Sequence, residues 1–368
     1  MPRALVCVTN DLATDNRVHR TCTVLQELGY EVTLVGRRLK GSLPVERSYR
    51  TRRMRLAFNK GPGFYAEYNW TLFFSAPFRK QHLIVANDLD TLPACRLMAL
   101  FNGARLVFDS HEYFTEVPEL VQRPVIRGIW KAIESLLVPG VDLMITVNES
   151  IAKTYRERYH REVHVVRNIP MQRDLGPLPT RSELGLPFEK FILVMQGAGI
   201  NVQRGAEEAV LAMKELDKAL RLLLGGGDAW PARGRMVPEH GEGDRVRLLP
   251  KMPYEQMMRY TRNADLGLTL DKDTNLNYRY SLPNKVFDYL HAGIPVLATD
   301  LPEVAAIVRE HDAGVVIVRA EPALIVAAVR GLLADPDRRA AMRRNATFAA
   351  RALDGEREKE KLKALLRH

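Results

Sequence analysis

The sequence is poor in cysteine, in long apolar runs and in the short signatures of metal and hydrolytic chemistry. Its three cysteines, Cys7, Cys22 and Cys95, show neither a CxxC pair nor a zinc-ligand spacing. A disulfide framework is therefore not what organises the chain, and buried reduced thiols are expected. No stretch approaches the ~18 consecutive apolar residues of a membrane-spanning helix. The opening MPRALVCVTND runs straight into a strand pattern, without the apolar core and cleavage site of a signal peptide. A cytoplasmic location is expected. There is no HExxH, no Ser-His-Asp order and no zinc spacing, so hydrolase and metalloenzyme readings have little support and no metal is expected. The loop Asn10–Asn16 lacks GxGxxG, which argues against a dinucleotide cofactor at the first turn.

What is present describes a globular chain. Of 368 residues, 46% are hydrophobic and 27% charged, a balance that suits two folded domains rather than disorder. The net charge is +10, and it is concentrated. Between Arg37 and Lys60 nine Lys or Arg face one acid, Glu46. Nucleic acid, an anionic membrane surface or a phosphorylated substrate would each suit such a segment, as would a merely solvated basic face. The aromatic-rich stretch Phe64–Phe78 follows it. Ordinary burial preference makes this a helix packed on a sheet, and the sharper alternative is a helix at a membrane interface.

Short apolar runs alternate with helical spacings. Ala4–Val8, Val32–Val35, His82–Ala86, Arg105–Phe108, Val141–Val147 and Val163–Val166 read as inner parallel strands, with Arg50–Phe58 as a further candidate. Phe191–Met195, Leu220–Leu224, Val246–Leu249, Ala264–Leu270, Val296–Ala298 and Val315–Val318 repeat the pattern. Between the two runs, 171–187 is rich in Pro and Gly and reads as a linker. The expected fold is α/β: two facing Rossmann-like doubly wound domains with a central cleft. The boundaries expected are 1–170 for the first domain and 188–352 for the second. A C-terminal helix, 353–368, is expected to pack back toward the first.

The chain is centred on SLPNKVFDYLHAGIPVLATDLPE, Ser281–Glu303. Pro283 suits a helix start, Gly293 a helix stop, Val296–Ala298 a buried strand, and Thr299 or Asp300 a cap for the helix that Pro302 opens. A strand ending at a helix N-terminus is where α/β proteins bind anions. Gly197, Gly199 and Gly205 lie in another strand-to-helix turn. Arg204 there sits at a helix start, where a cation is unfavourable unless an anion joins it. Lys285 and Asp288 share a helical face. They are either a phosphate contact and a ribose acceptor or a plain i,i+3 ion pair worth ~0.2–0.5 kcal/mol. In the first domain Asn87, Asp88, Asp109, His111 and Glu112 follow strand ends, and His111 is suited to bonding a sugar or moving a proton.

The blocks NDLATDNRVHRTCTVLQELGYEVTLVGRR, ANDLDTLPA, RLVFDSHEYF, QGAGINVQRGAEEAVLAM, LLLGGGD and SLPNKVFDYLHAGIPVLATDLPEV, in that order, resemble family four of the retaining glycosyltransferases (group 1), of GT-B type. The resemblance implies transfer of a hexosyl group from a nucleotide diphosphate-sugar to an acceptor hydroxyl, with retention, in surface glycan or glycolipid synthesis. By resemblance, His111, Arg204 and Lys285 are the catalytic residues. Gly197, Gly199, Arg204, Ser281, Leu282, Lys285 and Asp288 would hold the donor, and Asp15, Arg17, Asn87, Asp88 and Glu112 would lie on the acceptor side. The nucleotide-sugar is a co-substrate, and no other cofactor is implied. The acceptor would be a sugar or a lipid-linked glycan, with peripheral contact to the inner face of an anionic membrane through Arg37–Lys60. The family's acidic residue eight before Asp288 is replaced by Tyr280, and Asp271 and Asp273 are the candidates to substitute for it. The runners-up are a nucleotide-sugar epimerase of the same architecture, a catalytically silent relative, and a basic nucleic-acid-binding protein. The last lacks any zinc-finger, RNP or helix-turn-helix pattern, so no nucleic-acid partner is expected.

Overall fold

The computed structural model describes residues 1–13, 15–75, 80–197, 203–217, 220–225 and 245–367. Gly199 lies outside them. The chain divides into two compact units, Met1–Asn168 with Glu356–His368, and Ile169–Gly355.

The first unit carries a seven-stranded parallel sheet. Its strands are β1 (Arg3–Asp11), β2 (Glu31–Arg37), β3 (Arg50–Met54), β4 (Leu83–Asn87), β5 (Arg105–Ser110), β6 (Leu143–Thr146) and β7 (His164–Val165), in the order β3-β2-β1-β4-β5-β6-β7. The chain winds outward from β1 to β3, then restarts on the other side of β1 with β4. That reversal places the ends of β1, β4 and β5 together, and in open sheets such a reversal is where ligands bind. Ala4–Val8 and Leu83–Asn87 are buried throughout, as parallel strands covered by helices on both faces must be.

The covering helices are α1 (Asn16–Glu27), α2 (Gly61–Ser75), α3 (Leu92–Asn102), α4 (Pro118–Val121), α5 (Pro124–Leu137) and α6 (Glu149–Tyr159). The Asp15 carboxylate accepts the Val18 amide at 3.0 Å and starts α1, and Gly29 ends that turn in the left-handed region at φ 84°. The candidate strand Arg50–Phe58 stops at Met54. Beyond it the Ala57 and Phe58 amides donate to the Glu67 carboxylate on α2, each at 2.8 Å, instead of extending the sheet. Helices α4 and α5 had no counterpart in the sequence pattern.

The second unit carries six parallel strands: β8 (Phe191–Gln196), β9 (Leu220–Gly225), β10 (Val246–Leu249), β11 (Leu266–Thr269), β12 (Val296–Thr299) and β13 (Gly314–Ile317), ordered β10-β9-β8-β11-β12-β13. Alternate side chains feed two cores, as the two-residue period of a strand requires. Leu193, Met195, Leu222 and Leu224 pack with Ile325 and Val329. Ile192, Val194 and Leu223 pack with Phe287, Leu290, Val304 and Ile307. The reversal here falls between β8 and β11.

Two local details differ from expectation. Residues 171–187 lie within the second unit, where Leu186 is buried and Arg181 donates to the Asp265 carboxylate at 2.8 Å and the Asn263 carbonyl at 3.0 Å. Those bonds fix a segment whose composition looks like a free linker. The helix Pro302–Glu310 starts from Leu301 without a side-chain cap. Thr299 is committed to the Asp271 carbonyl at 2.7 Å and Asp300 to Arg309 at 2.8 Å, so neither serves as that cap. The helix Gly355–Leu366 joins the first unit from its Glu356 onward. Its Leu362 and Leu366 are buried in the core with Val6 and Val166, and Glu358 accepts the Arg167 amide at 2.8 Å.

Candidate functional site

In the second unit, three polar side chains from three separate elements meet. Arg204 precedes the short helix α7 (Ala206–Ala212), Asp271 lies two residues beyond β11, and Lys285 is in the first turn of the helix Asn284–His291. Asp271 Oδ1 accepts from Arg204 Nη1 at 2.6 Å, and Oδ2 lies 3.0 Å from Lys285 Nζ. Burial alone would raise the Asp271 carboxyl, but Lys285 and Arg204 outweigh it and hold it below the ordinary carboxylate range. The Arg204 guanidinium also lies over the Tyr278 ring, 4.6 Å from its centre, on a short turn Leu276–Arg279 that Asn275 caps.

The turn that carries Arg204 is fixed to the Asp271 loop by close approach. Gly205 is left-handed at φ 75°, and a Cβ there would stand 2.3 Å from the Leu270 carbonyl oxygen and Cβ. Only glycine fits both conditions. The Gln203 carbonyl accepts the Lys272 amide at 2.9 Å, and Lys272 pairs with Glu208 at 2.5 Å.

Asp288 is on the same helix as Lys285 but does not pair with it. It accepts from Gln196 Nε2 at 2.9 Å, at the end of β8, and from the Tyr254 hydroxyl at 3.0 Å. Burial raises its carboxyl to about 6 against those two donors. The Tyr289 hydroxyl accepts the Gln196 amide at 3.1 Å and donates to the Leu268 carbonyl at 3.0 Å, so strands β8 and β11 and this helix are tied at one point.

The first unit holds a second cluster at its own reversal. Asp88 is left-handed at φ 64°, a conformation that aspartate tolerates better than most residues, and its Oδ1 accepts the His111 amide at 2.8 Å. The His111 ring has Nε2 3.1 Å from Asn87 Oδ1 and 3.4 Å from Asp109 Oδ2, with Nδ1 3.5 Å from Asp88 Oδ2. Burial opposes charge on the imidazole, but Asp88 and Asp109 prevail and push it up to about 9. His111 is therefore an imidazolium at neutral pH, a donor rather than a base. Burial raises Asp109 too, but Arg17 more than reverses it, gripping both carboxylate oxygens at 2.5 and 3.1 Å.

The expected site residues thus fall into three groups. Arg204, Lys285 and the Gln196-bound Asp288 line the β8–β11 reversal, with Gly197 one residue past β8; Ser281 and Leu282 immediately precede the Lys285 helix, and the Ser281 hydroxyl donates to the Tyr278 carbonyl at 2.9 Å. His111, Asn87 and Asp88 converge, and Glu112, half-buried, is next in the chain. Arg17 and Asp15 are occupied structurally: Arg17 by Asp109 and by the Val166 carbonyl at 2.7 Å, Asp15 by capping α1. Asp273 is exposed beside Arg279 at 2.9 Å, so of the two candidates to substitute for Tyr280 only Asp271 reaches the cations. Gln196, Tyr254 and Tyr278 were missed by sequence reasoning. A glutamine closing the buried run FILVM was the one available signal. Asp90 was missed as well. It accepts from Thr9 at 2.7 Å, its Oδ1 has no partner among the described residues, and burial raises it to about 8.

The family described as Glycosyltransferase Family 4 matches residues 15–169, and that described as Glycosyl transferases group 1 matches residues 180–348. A curated relative, D-inositol 3-phosphate glycosyltransferase of Nocardia farcinica, is 27% identical over 234 residues, covering 58% of this chain and 49% of its own. The chain spans about half the length of the curated relatives it matches. Sucrose-phosphate synthase of Thermosynechococcus elongatus superposes with a TM-score of 0.80 at 17% identity, over 100% of this chain and 98% of that one. Anabaena HepE in complex with UDP-glucose superposes with a TM-score of 0.73 at 14% identity, over 100% and 99%.

Proposed function

The chain belongs to glycosyltransferase family 4, the group 1 glycosyltransferases, and we propose that it moves a hexosyl group from a nucleoside diphosphate sugar to an acceptor hydroxyl with retention of configuration. The observation that carries the donor half is the meeting of Arg204 and Lys285 on Asp271 at the β8–β11 reversal, beside Asp288. As the sugar–phosphate bond breaks, the leaving diphosphate gains negative charge. A guanidinium and an ammonium already fixed in place stabilise that charge with little reorganisation. They take the role that a divalent metal has in other phosphate chemistry, so EDTA is expected to leave turnover unchanged. Asp288, short of its full complement of hydrogen bonds, is suited to accept from ribose hydroxyls.

Structures of similar fold hold UDP and UDP-glucose, which makes a uridine donor the first to test. A thermal-shift panel of UDP-, GDP-, ADP- and dTDP-sugars is the experiment. One member at 100 times its Kd is expected to stabilise the protein by ~2.7 kcal/mol through mass action. If no member shifts the transition, the donor reading fails.

In the first unit, Asn87 holds the His111 ring through Nε2 at 3.1 Å, and Nδ1–H, 3.5 Å from Asp88, is the donor that turns to a sugar hydroxyl. The acceptor is lipid-linked in this reading, and the protein works at an anionic membrane. Support comes from the Arg37–Lys60 charge and from exposed apolar side chains on three helices of the first unit. Trp70 and Phe74 on α2, Phe101 on α3, and Ile129 and Leu136 on α5 all face solvent, Trp70 at 69% and Phe101 at 79% exposure. No helix among the described residues is long and apolar enough to cross a membrane. Co-sedimentation with phosphatidylglycerol vesicles at low salt, and release by high salt, is expected. Failure to sediment would remove the membrane part alone.

A further inference from the structure

Asp271 poses a problem that the donor reading does not answer. A carboxylate beside an anion site repels the ligand, yet this one lies between the two cations and is only 1% exposed. It does not stand in for the missing acid at Tyr280 as a contact to the sugar, because Oδ1 is bound to Arg204 and Oδ2 faces Lys285 and the Thr269 hydroxyl. Its backbone is held as well. The Asp271 carbonyl accepts from Thr299 at 2.7 Å, and the preceding Leu270 is in close contact with Gly205.

The cations are the opposite case. Arg204 and Lys285 are long, flexible side chains from two different elements, and left alone each would sample many directions. A short, rigid acid between them sets both. We infer that Asp271 is the positioning residue of the diphosphate site: it anchors one N–H of Arg204 and the ammonium of Lys285, so that their remaining donors point in fixed directions before ligand arrives. Its negative charge is outweighed by the two positive ones, which leaves the site cationic. The inference rests on the donor reading above and adds a role to a residue that does not touch ligand.

The sign of one measurement separates this role from simple electrostatics. By Coulomb's law, Asp271→Asn removes a negative charge next to an anion site and should tighten binding. Loss of positioning should weaken it by about 10–100-fold, the range seen when groups that orient a metal's ligands are removed. Calorimetry with inorganic pyrophosphate, and separately with UDP, is the assay, since pyrophosphate needs no particular base. Asp271→Glu keeps the carboxylate and is expected to recover most of the lost affinity. A packing role predicts the reverse order, with the isosteric Asn tolerated and the larger Glu not. Thr299→Val loosens the loop but keeps the acid, and is expected to weaken pyrophosphate by about two- to threefold, a smaller step of the same sign.

Equal or tighter binding by Asp271→Asn overturns the inference, and so does better binding by Asn than by Glu. Should Asp271→Asn not fold, unchanged pyrophosphate affinity in Thr299→Val overturns it instead. A wild-type protein that binds neither pyrophosphate nor UDP fails the donor reading itself, a result distinct from all of these.

Discussion

Asp288 and His111 both hold their protons more tightly in the folded chain than in the unfolded one, but for opposite reasons and in different pH windows. Asp288 is raised by burial to about 6, so the stability it contributes is present below the ordinary aspartate value and lost as pH rises through 6. Asp288→Asn removes that loss. It is expected to raise the melting temperature at pH 7.5, by an amount equivalent to roughly 3 kcal/mol at most, with no gain near pH 4. Nucleotide affinity should fall in the same variant, which calorimetry would show. His111 is raised to about 9 against its burial, by Asp88 and Asp109. Its contribution is complete below about 6.5 and lost as pH rises through 9. His111→Gln should therefore be destabilised most below pH 6.5, and the gap to wild type should close toward pH 10 in urea titrations. Both residues were legible as candidates, because each stands past a strand end or on a helix face with its neighbours. Their partners were not legible. Gln196 and Tyr254 are remote from Asp288 in sequence, and only the β8–β11 crossover brings them to it.

Among elements, the inner strands were easy to read because parallel strands covered on both faces are apolar without interruption, unlike the basic edge strand β3. Helix α5 was hidden for the converse reason. It buries Glu134, which receives the Tyr155 and Tyr159 hydroxyls at 3.1 and 2.8 Å, and it exposes Val125, Ile129 and Leu136. Its apolar stripe points the wrong way for a pattern that assumes apolar means inside. The 171–187 segment misled similarly: proline and glycine suggest a tether, and the bonds from Arg181 that fix it to Asp265 leave no compositional trace. The turn before α7 is the most demanding element. Gly205→Ala combines a left-handed φ with a clash on Leu270, and is expected to cost roughly 2–4 kcal/mol in urea unfolding. Because Leu270 adjoins Asp271, pyrophosphate affinity should drop with it.

The described residues form two sheets, one in each unit, but the units are not two successive halves of the chain. The helix Gly355–Leu366 supplies Leu362 and Leu366 to the first core and pairs Lys359 and Lys363 with Glu27 on α1, each at 2.7 Å. Removing residues 356–367 is expected to lower the first unit's stability by about 4 kcal/mol or more, in line with the loss of two buried leucines. Scanning calorimetry should show that unit's transition shifted and the second unit's unchanged.

That helix also fixes an order of events during synthesis. Most of the first unit leaves the ribosome before the second, yet its core lacks two leucines, and Glu27 its two lysines, until everything from Ile169 to Gly355 has been made. At the usual pace of about 5–20 residues per second, that interval is roughly 10–40 s. Throughout it, the surface of α1 and the sheet that the last helix will cover is open to water and to other chains. Of the two units, the one begun first is thus finished second, and its dependence on chaperones should be greatest in that interval.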